Sequence, residues 1–295
     1  MSAGTPAAPA EHPLSGPSRA LPWAPILWFG LLLAACYGAV LWRLIHQWST
    51  DDDMGHGFFV PIVAGYIVWQ RRQEIAEAWG PPNWWGLIVV AWGAAQLYGA
   101  TLGAELFLAR TAFIVSLAGM VLFLGGTRVL RLAAFPLFLL LFMVPIPAIV
   151  YNVITFKLQT LASELAETAL GALGVPVLRE GHILRLPSQS LSVVEACSGI
   201  RSLLTLSFLS LVYAYSFDKK VWMRAVLLVA TVPIAIVANA FRVTVSGLLS
   251  QVNPELAEGV FHSAAGWLIF MFGLLLLALV HVTINWGWRL IHGRK

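Results

Sequence analysis

Long apolar runs separated by short polar stretches make up most of the chain. A membrane-spanning helix needs about 20 consecutive apolar residues, and eight runs approach that length: 23–45, 57–70, 84–103, 106–126, 132–154, 199–217, 222–247 and 263–288. The second run is short and reaches span length only by tilting or by extending through Arg71. The pattern predicts an all-α polytopic membrane protein with about eight transmembrane helices.

The stretch 155–197 does not read as a span. Its first half alternates charged and apolar residues with helical spacing, which predicts an amphipathic interfacial helix ended by Gly171 and Gly174. The apolar members of that pattern are Phe156, Leu158, Leu161, Leu165 and Leu170. Two β-rich runs follow in 175–194, broken at Glu180-Gly181 and Pro187-Ser188. They predict a small β-hairpin-like segment before the sixth span.

Composition supports the membrane class, because 59% of the residues are hydrophobic and only 11% are charged. Soluble domains carry about a quarter charged residues. Residues 1–22 are polar and rich in Pro, Ala and Ser, which predicts a disordered cytoplasmic tail and no cleavable signal peptide. The remainder, 23–295, reads as a single integral-membrane domain without internal repeats.

The net charge of +4 is distributed by side of the membrane rather than gathered into a nucleic-acid-binding patch. Alternate connections and the tail hold 11 Lys and Arg residues against four acidic residues, whereas the other side holds seven against ten. The positive-inside rule therefore predicts cytoplasmic N and C termini. Asp51–Asp53, 155–197 and 248–261 then lie on the extracytoplasmic side, so any chemistry is expected to face outward.

Three polar segments converge on that outer face, and they contain Cys197, Arg242 and His262. A nucleophilic cysteine needs a cation, a base or a helix N-terminus to stabilise its thiolate, and Cys197 has candidates for all three. Each residue alone also has a plain structural explanation: packing for Cys197, snorkelling for Arg242 and a helix start for His262. Cys36 lies in the middle of the first run, so a disulfide with Cys197 is not expected.

Further polar residues in these segments are candidates for supporting or substrate-binding roles. Asn239 lies three residues before Arg242, on the same helix face, and either holds the guanidinium or substrate or joins helices. Arg201 lies one turn after Cys197 and adds positive charge, while Glu195 is a partner for either arginine.

His56 and Ser198 complete the set of candidates. His56 follows three consecutive aspartates, but consecutive carboxylates converge poorly on one ion, so no metal is expected. Ser198 lacks the Gly-x-Ser-x-Gly-like setting of a serine protease site, which leaves the cysteine as the better nucleophile.

Together these segments resemble the motifs of the exosortase/archaeosortase family. The resemblance rests on Val194–Leu203 (VEACSGIRSL), Asn239–Val243 (NAFRV) and His262–Trp267 (HSAAGW), and extends to His56–Pro61, Pro145–Pro147 and Arg179–Gly181. It implies a cysteine transpeptidase without metal or organic cofactor, in which Cys197, Arg242 and His262 are catalytic.

The resemblance also implies the partners and the location. The expected substrates are secreted proteins with a C-terminal sorting signal, typically a Pro-Glu-Pro-type motif, a transmembrane helix and a basic tail. The expected location is the bacterial inner membrane, with the active site facing the periplasm and a frequent link to exopolysaccharide production. The residues leave two alternatives open: a polysaccharide export component or transporter without peptidase activity, and a water-using intramembrane protease.

Overall fold

The computed structural model describes residues 21–193, 200–218, 220–252 and 259–292. Its helices are α1 Trp23–Thr50, α2 Phe59–Gln70, α3 Arg72–Ala78, α4 Trp85–Leu102, α5 Leu106–Leu139, α6 Ala148–Ala172, α7 Ile200–Phe217, α8 Val221–Val252 and α9 Gly259–His292. Short 3-10 helices occupy Asp52–Phe58 and Leu140–Met143. The strands are β1 Leu178–Glu180, β2 Ile183–Arg185 and β3 Ser190–Ser192. The predicted disordered tail lies almost entirely outside the described residues.

Six stretches of the described chain are long and apolar enough to cross a membrane: Trp23–Thr50, Trp85–Leu102, Leu106–Met143, Ile200–Phe217, Trp222–Val252 and Phe270–Leu290. This confirms the prediction of an all-α polytopic membrane protein with a small β segment. The difference from the expected eight spans arises in two places, at the second run and at the fourth and fifth runs.

The second run forms α2, which has 12 residues and is shorter than a bilayer crossing requires. The fourth run and the start of the fifth share α5, whose backbone leaves helical geometry only at Gly126, with φ 79°. The rest of the fifth run is interrupted after Met143 and resumes at Ala148, in α6. Pro145 and Pro147 explain this break, since neither has an N–H to donate within a helix.

The described residues group into two compact units. The first unit contains the described residues up to Trp42 together with Ile62–Leu141. The second unit contains Arg43–Pro61 and the described residues from Phe142 onward. All the described candidate site residues belong to the second unit.

In the first unit, α4 and α5 approach closely through glycines. A side chain at Gly86 would stand 2.6 Å from the carbonyl oxygen of Gly119, so only a missing Cβ permits this contact. Close approach through small residues is a common way for membrane helices to associate, since lipid supplies no hydrophobic force between them. The Tyr37 hydroxyl lies 2.7 Å from Ser116 Oγ and ties α1 to α5.

In the second unit, α6 carries the predicted amphipathic segment as part of a longer helix. Leu158 and Leu170 are buried within the protein, whereas Leu161 and Leu165 stay 43% and 45% exposed. Small residues, Ala162 and Ala166, take the buried positions between them. The larger apolar side chains remain at the surface, where an interfacial helix meets lipid.

The predicted hairpin-like segment forms an antiparallel sheet of order β1-β2-β3, one strand more than expected. The first turn contains Gly181 with φ 64°, a conformation that favours glycine. Leu184 pairs with Leu191 across β2 and β3. Arg179 in β1 contacts Glu167 of α6 at 2.9 Å, which ties the sheet to that helix.

Candidate active site

Helix α8 carries two of the candidate residues on one face. Asn239 and Arg242 are three residues apart, about one helical turn. Asn239 is only 4% exposed, and its Nδ2 has no hydrogen-bond partner among the residues that the structure describes. Arg242 is half-buried. A buried donor without a partner is costly, so an incoming acceptor group would stabilise the Asn239 amide.

The residue after Arg242 connects this face to the sheet. Val243 is fully buried in a hydrophobic cluster that also contains Leu170 of α6, Leu191 of β3 and Val193. The Val193 backbone N–H donates a hydrogen bond of 2.9 Å to the carbonyl oxygen of His182. The chain is therefore anchored in the same cluster as Val243 four residues before Cys197.

On the other side of the cysteine motif, α7 begins at the fully buried Ile200. The next residue, Arg201, has its Nε 2.8 Å from Oδ1 of Asp53 in the 3-10 helix. Tyr151 of α6 donates its hydroxyl proton to Oδ2 of the same carboxylate. Asp53 thus receives donors from two helices.

The conformation of the segment before α2 supports this arrangement. Asp51 caps the 3-10 helix by accepting a hydrogen bond of 3.0 Å from the Asp53 N–H. Burial raises the pKa of Tyr151, and the hydrogen bond to Asp53 raises it further. The phenol therefore stays protonated at neutral pH and remains a donor to the carboxylate.

His56 lies in the same 3-10 helix and is 8% exposed. Its Nε2 is 3.1 Å from the carbonyl oxygen of Phe142. Burial lowers the pKa of His56, although the contact with Phe142 partly opposes this. A neutral imidazole that donates from Nε2 to the carbonyl fits these observations. Trp48 Nε1 donates to the next carbonyl, that of Met143, at 3.0 Å.

An apolar groove lies beside the start of α7. Its volume is about 310 Å³, and its walls include Ile154 of α6, Ile200 and Leu203 of α7, and Val229 and Val232 of α8. Its first wall residue in α7, Ile200, lies three residues after Cys197 in sequence. Ser207 is its one hydroxyl-bearing wall residue among those that the structure describes.

Several predicted site residues lie outside the described part of the chain. Glu195, Cys197 and Ser198 fall in the undescribed segment 194–199. His262 lies in α9, but its side chain is outside the described set. Their catalytic and supporting roles therefore remain predictions.

For the other candidates, the structure pairs Arg201 with Asp53 and keeps Asn239 and Arg242 together on α8. Sequence reasoning considered Asp53 only as part of an acidic run and did not single out Tyr151. Only a weak indication for Tyr151 is present in the sequence: it lies in an apolar run, where a buried tyrosine hydroxyl usually needs a hydrogen-bond partner. Among the described residues, no three His, Cys, Asp or Glu side chains come together as metal ligands.

The fold and this site define a polytopic membrane protein in which Asp53, Tyr151 and Arg201 join the 3-10 helix, α6 and α7, and in which α8 carries Asn239 and Arg242 on one face. A family model described as transmembrane exosortase matches residues 48–279. The match covers more than half of the chain and includes every candidate site residue, so the chain belongs to the transmembrane exosortase family. No curated protein and no solved structure matches it.

Proposed function

We propose that this exosortase is a membrane-embedded cysteine transpeptidase that cleaves a C-terminal sorting signal, typically of Pro-Glu-Pro type, from secreted proteins. The observation that carries the proposal is the family match over 48–279, which contains the cysteine, arginine and histidine segments. The proposed location is a bacterial inner membrane, with the site facing the periplasm. This agrees with the charge distribution between the loops.

The proposed reaction is acyl transfer through a thioester. The Cys197 thiolate attacks the backbone carbonyl carbon next to the sorting motif and forms a tetrahedral oxyanion. His262 gives a proton to the leaving nitrogen as the C–N bond breaks, which releases the anchor helix and tail. An acceptor nucleophile then gives its proton to His262 and attacks the thioester carbonyl, and the C–S bond breaks to release the Cys197 thiolate.

Arg242 and Asn239 are the proposed stabilisers of the oxyanion. Both are donors on one face of α8, and the buried Asn239 Nδ2 has no described partner that it would have to give up. Charge-assisted and preorganised donors of this kind each contribute about 10²–10³-fold to turnover in other acyl-transfer enzymes.

Arg201 takes a different role from the one its sequence position suggests. Because its Nε contacts the Asp53 carboxylate at 2.8 Å, its charge is largely compensated. Arg242 is the proposed cation of the reaction, as the family resemblance implies. Glu195 and Ser198 remain proposed supporting residues of the cysteine segment.

The apolar groove beside α7 supports an anchored substrate. Its walls of Ile200, Leu203 and Val232 match the chemistry of a transmembrane segment. A substrate anchored in the bilayer would present its signal motif at a fixed depth. Because the membrane already restricts its position and orientation, less entropy is lost when it binds at the site.

The test is processing of a co-expressed substrate that carries a sorting signal. Cys197→Ser should abolish the shift in substrate mass, and Cys36→Ser, the matched control at the only other cysteine, should retain it. Mass spectrometry of the product's new C terminus separates a free carboxylate, which means hydrolysis, from an added mass, which means transfer. Full processing by Cys197→Ser would favour a transporter or export role instead.

A further inference from the structure

The contacts of Asp53 extend beyond local structure. Its carboxylate joins the 3-10 helix, Tyr151 of α6 and Arg201 of α7, and the Asp53 and Arg201 positions are 148 residues apart. The Asp53 side chain is 16% exposed and that of Arg201 is 49% exposed. The link is thus sheltered on the carboxylate side, where ion pairs are worth more than at a free surface.

The Asp53–Arg201 link lies close in sequence to the proposed nucleophile. Arg201 follows Cys197 by four residues in sequence. An uncompensated guanidinium close to a thiol favours the thiolate. A guanidinium held by a carboxylate would do so much less.

We infer that Asp53 is a positioning residue for the reaction: by holding Arg201 and Tyr151 together it fixes the start of α7, three residues after Cys197 in sequence, and offsets the charge of Arg201. This inference rests on the proposed function of Cys197. It assigns Asp53 an indirect role, because Asp53 acts through Arg201.

The experiment compares Asp53→Asn, Arg201→Gln and the double variant, all in full-length protein with the Cys36→Ser background so that Cys197 is the only thiol. Asp53→Asn should lower kcat about 10-fold or more with little change in KM, because small displacements of a nucleophile are costly. The double variant should lose no more than Arg201→Gln alone, since both changes break one link.

A second readout does not need substrate. In Asp53→Asn the Arg201 charge is no longer offset by the Asp53 carboxylate, which should speed maleimide alkylation of Cys197 at pH 7 by about 3- to 10-fold. The double variant should return to the wild-type rate, which mere loosening of the fold would not produce. Glu180→Gln breaks the exposed ion pair with Arg185, which measures 2.7 Å, and serves as the control that should change neither readout.

Tyr151→Phe provides a milder variant that keeps the ring and removes one donor to Asp53. Tyr151→Phe should also lower kcat, but by less than Asp53→Asn does. Wild-type kcat and alkylation rates in both Asp53→Asn and Tyr151→Phe would overturn the inference. Full processing by Cys197→Ser would instead overturn the proposed function, and the alkylation comparison would still stand.

Discussion

His281 Nε2 lies 3.4 Å from Oδ2 of Asp218, a residue 63 positions earlier that directly follows α7. The Tyr213 hydroxyl contacts the other ring nitrogen of His281 at 2.9 Å. Asn285 Nδ2 is 2.8 Å from His281 Nε2. The Lys220 N–H donates to Oδ1 of Asp218 at 2.8 Å. This polar network fastens α9 to the connection between α7 and α8.

Replacing His281 should therefore loosen the second unit. His281→Leu leaves the Asp218 carboxylate and the Tyr213 hydroxyl without that partner, and an unsatisfied buried polar group costs about 1–3 kcal/mol. We expect a lower melting temperature in detergent. Thr283→Ala is the matched control on α9, because Thr283 is exposed and bonds to carbonyls of its own helix. Equal melting temperatures for the two variants would contradict a structural role for the network.

The contact between α4 and α5 predicts unequal effects for two glycines of the same helix. Alanine at Gly86 would place its Cβ 2.6 Å from the Gly119 carbonyl oxygen, whereas Gly99 has no atom within 4 Å of that position. Gly86→Ala should destabilise the protein by about 1–3 kcal/mol through overpacking. Gly99→Ala should be neutral or slightly stabilising, since alanine is the better helix former. Thermal unfolding of both variants measures the difference, and similar melting temperatures would refute the close approach.

The buried His56 predicts loss of stability at acid pH. Its pKa is lowered from 6.5 in the folded chain, mainly by burial, so below that pH the unfolded state binds more protons. The contribution of His56 is complete above the unfolded pKa and is lost as pH falls below about 6.5, by at most about 1.4 kcal/mol per pH unit. His56→Gln should flatten the melting temperature between pH 7 and pH 5 relative to wild type. His46→Gln, an exposed control on α1, should keep the wild-type slope.

Asn239 offers a prediction that separates function from stability. Asn239→Asp keeps the shape but replaces the Nδ2 donor with an acceptor, and no described hydrogen bond of that donor is lost. We expect kcat for processing to fall about 10²-fold, as for other lost oxyanion donors. The melting temperature should be measured at a pH where the new carboxyl is neutral, and it should change little there. A large loss of stability with normal turnover per folded molecule would make Asn239 a packing residue.

Much of the fold was predictable because it depends on local pattern. The lengths of the apolar runs identify the long helices, and the breaks at Glu180-Gly181 and Pro187-Ser188 fall at the turns of the sheet. Pro145 and Pro147 contribute to the sequence-based expectations only as part of the family resemblance. The apolar pattern predicts one continuous span over 132–154. It does not predict that these prolines end one helix and that a new helix, α6, begins at Ala148.

The candidate site, too, was predictable from the sequence only in part. The sequence by itself determined the membrane class, the motif segments and the shared face of Asn239 and Arg242, since these follow from composition and helical spacing. Only the tertiary structure decided that Asp53 takes Arg201 and Tyr151 as partners, across 148 and 98 residues respectively. Apolar periodicity reports which residues avoid water, but it carries no information about which buried charge meets which donor. That choice depends on where separate helices meet in three dimensions.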